Sequence, residues 1–230
     1  MENRRSLAKF ALVVILAIGS GVLAKADSIG PICPDTDGAG PDKDTCQGSI
    51  YTLSYLPDPI STVSGVNTYQ ITLTIDASGF SPNGGGSGPF YIDTVAIKVA
   101  ESVLVPTSSL VSAPGDDSKW TLKFGGLNAD QCSGAGSGFL CAEDSLEAPV
   151  SNSPLVWVFD YATGAVLSGN VAGATIKARY VNVDVNGNRV KVGDLVSENI
   201  TLQPIPEPTS LLLLGTGLLA IGRLVRKKKL

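Results

Sequence analysis

TYQITLTID, residues 68–76, alternates polar and apolar side chains without a break. Tyr69, Ile71, Leu73 and Ile75 fall on one side, and Thr68, Gln70, Thr72, Thr74 and Asp76 on the other. A period of two turns one side toward a core and the other toward water, which is the signature of a half-buried β-strand. The residues are mostly β-branched or aromatic, types that suit a pleated surface. Stretches 49–56, 90–99, 119–124, 155–161, 175–185 and 190–202 read the same way. Turn signals separate them: SPNGGG at 81–86, PGDD at 114–117 and Asn186-Gly187-Asn188. Asn186-Gly187 between two strand-like runs predicts a hairpin, because both residues tolerate positive φ. No long helical period appears between the two ends of the chain. The pattern predicts an all-β fold, a single β-sandwich of about seven to nine antiparallel strands. Its length is enough to bury a core.

Both ends of the chain differ from this middle. Arg4, Arg5 and Lys9 precede an apolar run over 10–23, and Ala24-Lys25-Ala26 supplies small residues after it. This predicts a signal-peptide helix over 1–26, cleaved between Ala26 and Asp27. The apolar run is shorter than the roughly 20 residues a membrane span needs, so an uncleaved anchor is the lesser alternative. At the other end, 208–222 carries no charge, and Arg223, Arg226, Lys227, Lys228 and Lys229 follow. This predicts a transmembrane helix over 209–225 and a basic tail over 226–230 that stays in the cytoplasm. Arg223 can lengthen the span by snorkelling. Pro206 and Pro208 fix φ and favour extended neighbours, so 204–208 forms a stiff strip displaying Glu207 outside the membrane. A plain proline-rich linker is the simpler reading of the same residues. The ectodomain is then 27–203, and 204–230 a separate segment.

The charge is divided accordingly. Residues 27–206 hold eight lysines and arginines against 19 carboxylates, a net of −11, whereas the whole chain carries −4. A surface of that sign repels nucleic acid and anionic lipid head groups. The four cysteines all lie in this part. They allow three pairings, and the neighbouring one, Cys33–Cys46 with Cys132–Cys141, closes two small loops in an oxidising compartment. A four-cysteine zinc site lacks its usual CxxC spacing.

Little catalytic chemistry is encoded. The chain has no histidine, which excludes Ser-His-Asp and Cys-His nucleophiles and histidine metal sites. A glycosidase needs only two carboxylates, but the spacing of Glu101, Glu143, Asp144, Glu147 and Glu198 singles out no pair. The stretch 35–44 places Asp35, Asp37, Asp42 and Asp44 around a glycine turn, as weak calcium candidates. Cys46 stands where a calcium loop has its closing Glu, so an ordinary disulfide-closed loop is the first reading and calcium the second. Asp184 to Asn188 reads as a hairpin turn first and a calcium site second. No other cofactor is expected. Trp120, Trp157 and Tyr161 can stack on sugar rings, but their apolar neighbours assign the two tryptophans to the core. Asn199-Ile200-Thr201 matches a glycosylation sequon, a short pattern that also occurs incidentally. Thr72 and Thr74 are too few for a flat, threonine-rich ice-binding face.

The tail carries a resemblance. Pro206-Glu207-Pro208, a short glycine-containing apolar helix and a terminal basic cluster, in that order, resemble the PEP-CTERM sorting domain of Gram-negative bacteria, a segment also labelled an ice-binding protein C-terminal domain. It covers only about the last 25 residues; the ectodomain resembles no family that is recognised. The resemblance implies recognition of Pro206, Glu207 and Pro208 by an exosortase, after signal peptidase has acted at the other end. It implies passage through the inner membrane, transient anchoring with the ectodomain in the periplasm, and a final place on the cell surface or in the matrix. A non-catalytic role in an exopolysaccharide-rich biofilm matrix is the expectation that follows. A carbohydrate-binding module is the first alternative and a secreted glycoside hydrolase the second.

Overall fold

The computed structural model of the chain describes residues 28–33, 45–83, 85–99, 104–134, 136–144 and 146–205. Within it, Tyr69, Ile71, Leu73 and Ile75 are buried and the residues between them are half-exposed. The alternation of the sequence is thus the alternation of the sheet. The strands in chain order are β1 (Ser28–Ile29), β2 (Ile50–Tyr55), β3 (Ser61–Val63), β4 (Val66–Asp76) and β5 (Phe90–Lys98). Then come β6 (Ser109–Ser112), β7 (Thr121–Phe124), β8 (Gly126–Asn128), β9 (Gln131–Gly134) and β10 (Leu140–Glu143). The last four are β11 (Leu155–Thr163), β12 (Val171–Val183), β13 (Arg189–Lys191) and β14 (Val196–Pro204). The sole helical element among the described residues is a 3-10 turn at Asp117–Lys119.

Two layers result. One is β6-β11-β4-β2, with β1 beside β2 and β3 beside β4; the other is β14-β12-β5-β10-β7, with β13 beside β12. β14 joins them. It runs antiparallel to β12 from Val196 to Leu202, then parallel to β2 at Gln203 and Pro204. The Ile205 amide continues the pairing by donating to the Tyr55 carbonyl at 2.8 Å. The sheet edge therefore extends two residues past 203.

The inner faces of the layers form one core. Tyr51, Leu53 and Tyr55 of β2, the four inward residues of β4 and Leu155, Trp157, Phe159 and Tyr161 of β11 meet Ile92, Ile176, Tyr180 and Ile200 from the opposite layer. Buried hydroxyls need partners, and the tyrosines find them inside. Tyr51 and Tyr180 share a hydrogen bond of 2.8 Å across the layers, and Tyr180 donates to Ser49 Oγ at 2.8 Å. Burial pushes the Tyr180 phenol up to about 12, so it stays neutral. Phe80 stacks on its ring at 3.9 Å between centroids.

The structure has more strands than the seven to nine expected, because short segments of two to four residues also pair as strands. One pair, β2 with β14, is parallel. The run 190–202, which reads as one strand, is two. Between them the Gln47 side chain grips the backbone: its Oε1 accepts from Asp194 N at 3.1 Å and its Nε2 donates to Asp194 O at 2.9 Å. Gly193 makes room for it with φ of 64°; a Cβ there would sit 1.7 Å from Gln47 Oε1. The run 119–124 loses its first residues to the 3-10 turn, where Asp116 accepts from Ser118 N at 3.0 Å. Strand β12 ends at Val183 because Asp184 turns the chain, accepting from the amides of Asn186 and Asn188 at 2.8 and 2.7 Å. The hairpin expected at Asn186-Gly187 joins β12 to β13.

Candidate functional site

The residues expected to form the sorting and targeting sites lie outside the described residues. These are Ala26 and Asp27, Pro206, Glu207 and Pro208, Arg223, Arg226, Lys227, Lys228 and Lys229, with the helices expected over 1–26 and 209–225. The calcium candidates Asp35, Asp37, Asp42 and Asp44 also lie outside them, as does Glu101. Among the described residues no helix is long and apolar enough to cross a membrane, and no three metal-ligating side chains cluster.

The cysteines pair as neighbours. Cys33 bonds Cys46 and Cys132 bonds Cys141, with Cα–Cα distances of 5.1 and 5.7 Å. The second bridge ties β9 to β10 and holds the β8–β9 hairpin against the outer face of the second layer. There Leu127, Cys132, Phe139 and Cys141 bury Ala96 in a small second core.

Beneath this hairpin lies a polar cluster that the sequence pattern does not reveal. The β5–β12 register slips between Arg179 and Tyr180: Arg179 faces Thr94, Tyr180 faces Ile92, and Asp93 is the extra residue. Such a bulge re-aims a side chain. The Asp93 carboxylate, fully buried, meets Arg179 at 3.5 Å and Arg189 at 3.3 Å and accepts from Gln131 Nε2 at 3.2 Å. Burial raises the Asp93 carboxyl above its ordinary value, and the two guanidinium groups only partly oppose this. Arg179 also donates to Ala129 O in the hairpin turn at 2.5 Å, and Arg189 to Asp144 O at 2.5 Å. The one carboxylate in a mostly apolar strand, FYIDTVAIK, was the sole trace of this cluster in the sequence.

Asp144 is the other buried carboxylate among the described residues. Its two oxygens accept from Leu146 N at 3.0 Å and Glu147 N at 2.5 Å. Burial still lifts it to about 6. Glu143 accepts from Cys132 N at 2.9 Å and pairs with Lys123; Glu147 pairs with Lys119 at 3.7 Å; Glu198 accepts from Thr45 Oγ1. Glu143, Asp144, Glu147 and Glu198 are thus each engaged by a backbone amide, a hydroxyl or a lysine. Asp184 is likewise occupied by its own turn, and those hydrogen bonds from Asn188 and Asn186 hold its carboxyl below the ordinary range.

The aromatic residues go to the core. Trp157 and Tyr161 are fully buried, and Trp120 is 7% exposed. The two indoles meet edge to face at 5.6 Å, and Trp120 Nε1 donates to Pro114 O at 2.9 Å. None of the three offers a face on which a sugar ring can stack.

Comparison with known proteins adds one assignment. No curated protein matches the chain. Solved structures resemble it distantly. One is a Nocardia farcinica protein described as having an immunoglobulin-like fold, with 12% identity, 66% of this chain and 99% of that one covered, and a TM-score of 0.31. Another is a Corynebacterium diphtheriae protein described as membrane anchored, with 11% identity, 80% and 40% covered, and a TM-score of 0.35. A third is the carbohydrate-binding module CBM3b of cellobiohydrolase 9A from Clostridium thermocellum, with 13% identity, 63% and 96% covered, and a TM-score of 0.27. None of these likenesses is close enough to bear on function. The tail is another matter: residues 204–228 match the PEP-CTERM protein-sorting motif, and the chain carries the tail of an exported protein sorted by an exosortase.

Proposed function

We propose that the chain is a non-catalytic protein of the cell surface or extracellular matrix, delivered there by its tail. The observation that carries this reading is the motif at 204–228, which begins at the last residue of the final strand of an all-β domain. Pro206, Glu207 and Pro208 are the part an exosortase recognises, and the basic cluster at Arg223, Arg226, Lys227, Lys228 and Lys229 holds the segment in the inner membrane meanwhile. Signal peptidase acts first, between Ala26 and Asp27. Two disulfides in the described domain fit an oxidising destination. A non-catalytic role is supported by the state of the acidic groups: Asp93 is ion-paired under the hairpin and Asp144 is tied to backbone amides, so neither faces an open cleft.

Mass spectrometry of the protein from wild-type and exosortase-deficient cells tests the reading. The surface fraction of wild-type cells should yield chains that begin at Asp27 and have lost the residues beyond about Glu207. The deficient strain should retain the full tail in the inner membrane. An intact Leu230 on surface-exposed protein overturns the proposal.

A further inference from the structure

Seven lysines and arginines lie among the described residues, and five have evident partners. Lys119 pairs with Glu147, Lys123 with Glu143, and Arg179 and Arg189 with Asp93; Lys191 donates to Gly193 O at 2.7 Å. Lys98 and Lys177 are the other two. Neither faces a carboxylate among the described residues, although the domain is strongly acidic. Both converge on one ring: their ammonium groups lie 5.7 and 4.8 Å from the centroid of Phe139. They sit on adjacent strands, where Lys98 pairs in register with Thr175 and Lys177 with Ser197. Together with Thr175, Ser197 and Gly173 they line an open trough of about 830 Å³ on the outer face of the second layer.

Two like charges held on one ring repel each other unless something compensates them. Phe139 offsets part of this through its π face. It is itself nearly buried, so it holds the lysines and leaves no platform for stacking. The polar groups of the trough are two ammonium groups and the hydroxyls of Ser197 and Thr175, the latter donating to Asn199 Oδ1 at 3.1 Å and left free to accept. That is the chemistry to take an anionic group whose neighbours also form hydrogen bonds.

We propose that this trough binds an acidic polysaccharide, with a uronate carboxylate between Lys98 and Lys177 and ring hydroxyls on Thr175 and Ser197. An acidic peptide suits the place less well. Extended peptides bind by adding to a free strand edge, and here β12 is paired on both sides, with β5 and with β13 and β14. The inference deepens the surface-protein reading and rests on it for the setting in which such a polymer is met.

Affinity electrophoresis of the full chain in neutral detergent, in gels containing polygalacturonate, tests it. Polygalacturonate should retard the wild type, the effect should fade with added salt, and dextran should do nothing. Lys98→Gln with Lys177→Gln should weaken retardation about tenfold or more, the loss of one to two charge-assisted contacts. Lys98→Arg with Lys177→Arg should retain it, and Lys119→Gln should leave it unchanged. Equal retardation of the double Gln variant, none of the wild type, or stronger retardation by polyglutamate overturns the proposal. Normal tail processing alongside failed binding sinks this inference alone. Failed processing alongside intact binding sinks the sorting reading alone.

Discussion

Asp144 shows how one side chain sets a response of the whole domain. Burial lifts its carboxyl to about 6 from the ordinary 3.8, so the folded protein holds a proton there that the unfolded chain has already released. The sign follows: between about pH 4 and 6 the native state binds more protons, and stability falls as pH rises through that window. Asp93, raised in the same direction, adds to the effect. The urea midpoint should therefore be higher at pH 5 than at pH 7. Asp144→Asn, which has no carboxyl to titrate, should flatten that slope. A midpoint that rises steadily from pH 5 to pH 7 would contradict this account. At this scale the sequence was partly legible. Tyr69, Ile71, Leu73 and Ile75 announced their side of the strand, because alternation is a local property. Asp93 did not, because its burial depends on a bulge and on two arginines 86 and 96 residues away.

Among the elements, the β8–β9 hairpin depends most on a covalent link. It pairs with no strand of the two layers, and the Cys132–Cys141 bridge fixes it over the second core. Replacing both cysteines by serine should lower stability by about 2–3 kcal/mol, the expectation for a loop of this length. Hydrogen exchange should rise first in 126–134, and Arg179 should lose its bond to Ala129 O as the hairpin lifts. Uniform loss of protection across both layers would show instead that the bridge supports the main core. The cysteine spacing made the bridge legible. The hairpin was not, because Gly126–Asn128 and Gln131–Gly134 are too short to carry a period of two. Strands β13 and β14 merged in the sequence for a related reason. The break between them is imposed by Gln47, a residue distant in the chain.

For the molecule as a whole, the pattern foretold two packed layers and the tail foretold a route. The motif at 204–228 and the all-β domain are both there. The order of strands within the layers was not legible, since β14 pairs with a strand some 150 residues earlier. That pairing makes a whole-molecule prediction. A chain stopped after Ile205 should refold with the urea midpoint of the longer chain. One stopped after Leu195 lacks β14 and should show no cooperative transition. If the shorter chain unfolds cooperatively, the layers do not need their shared strand.

That shared strand also sets a timetable. Until Pro204 has emerged from the translocation channel, the Ser54–Tyr55 end of β2 lacks its partner and the two layers have no shared strand. The N-terminal half must then wait through most of secretion, in a state prone to sticking to its neighbours. Closure waits for the last residues of the domain, just ahead of the sorting motif.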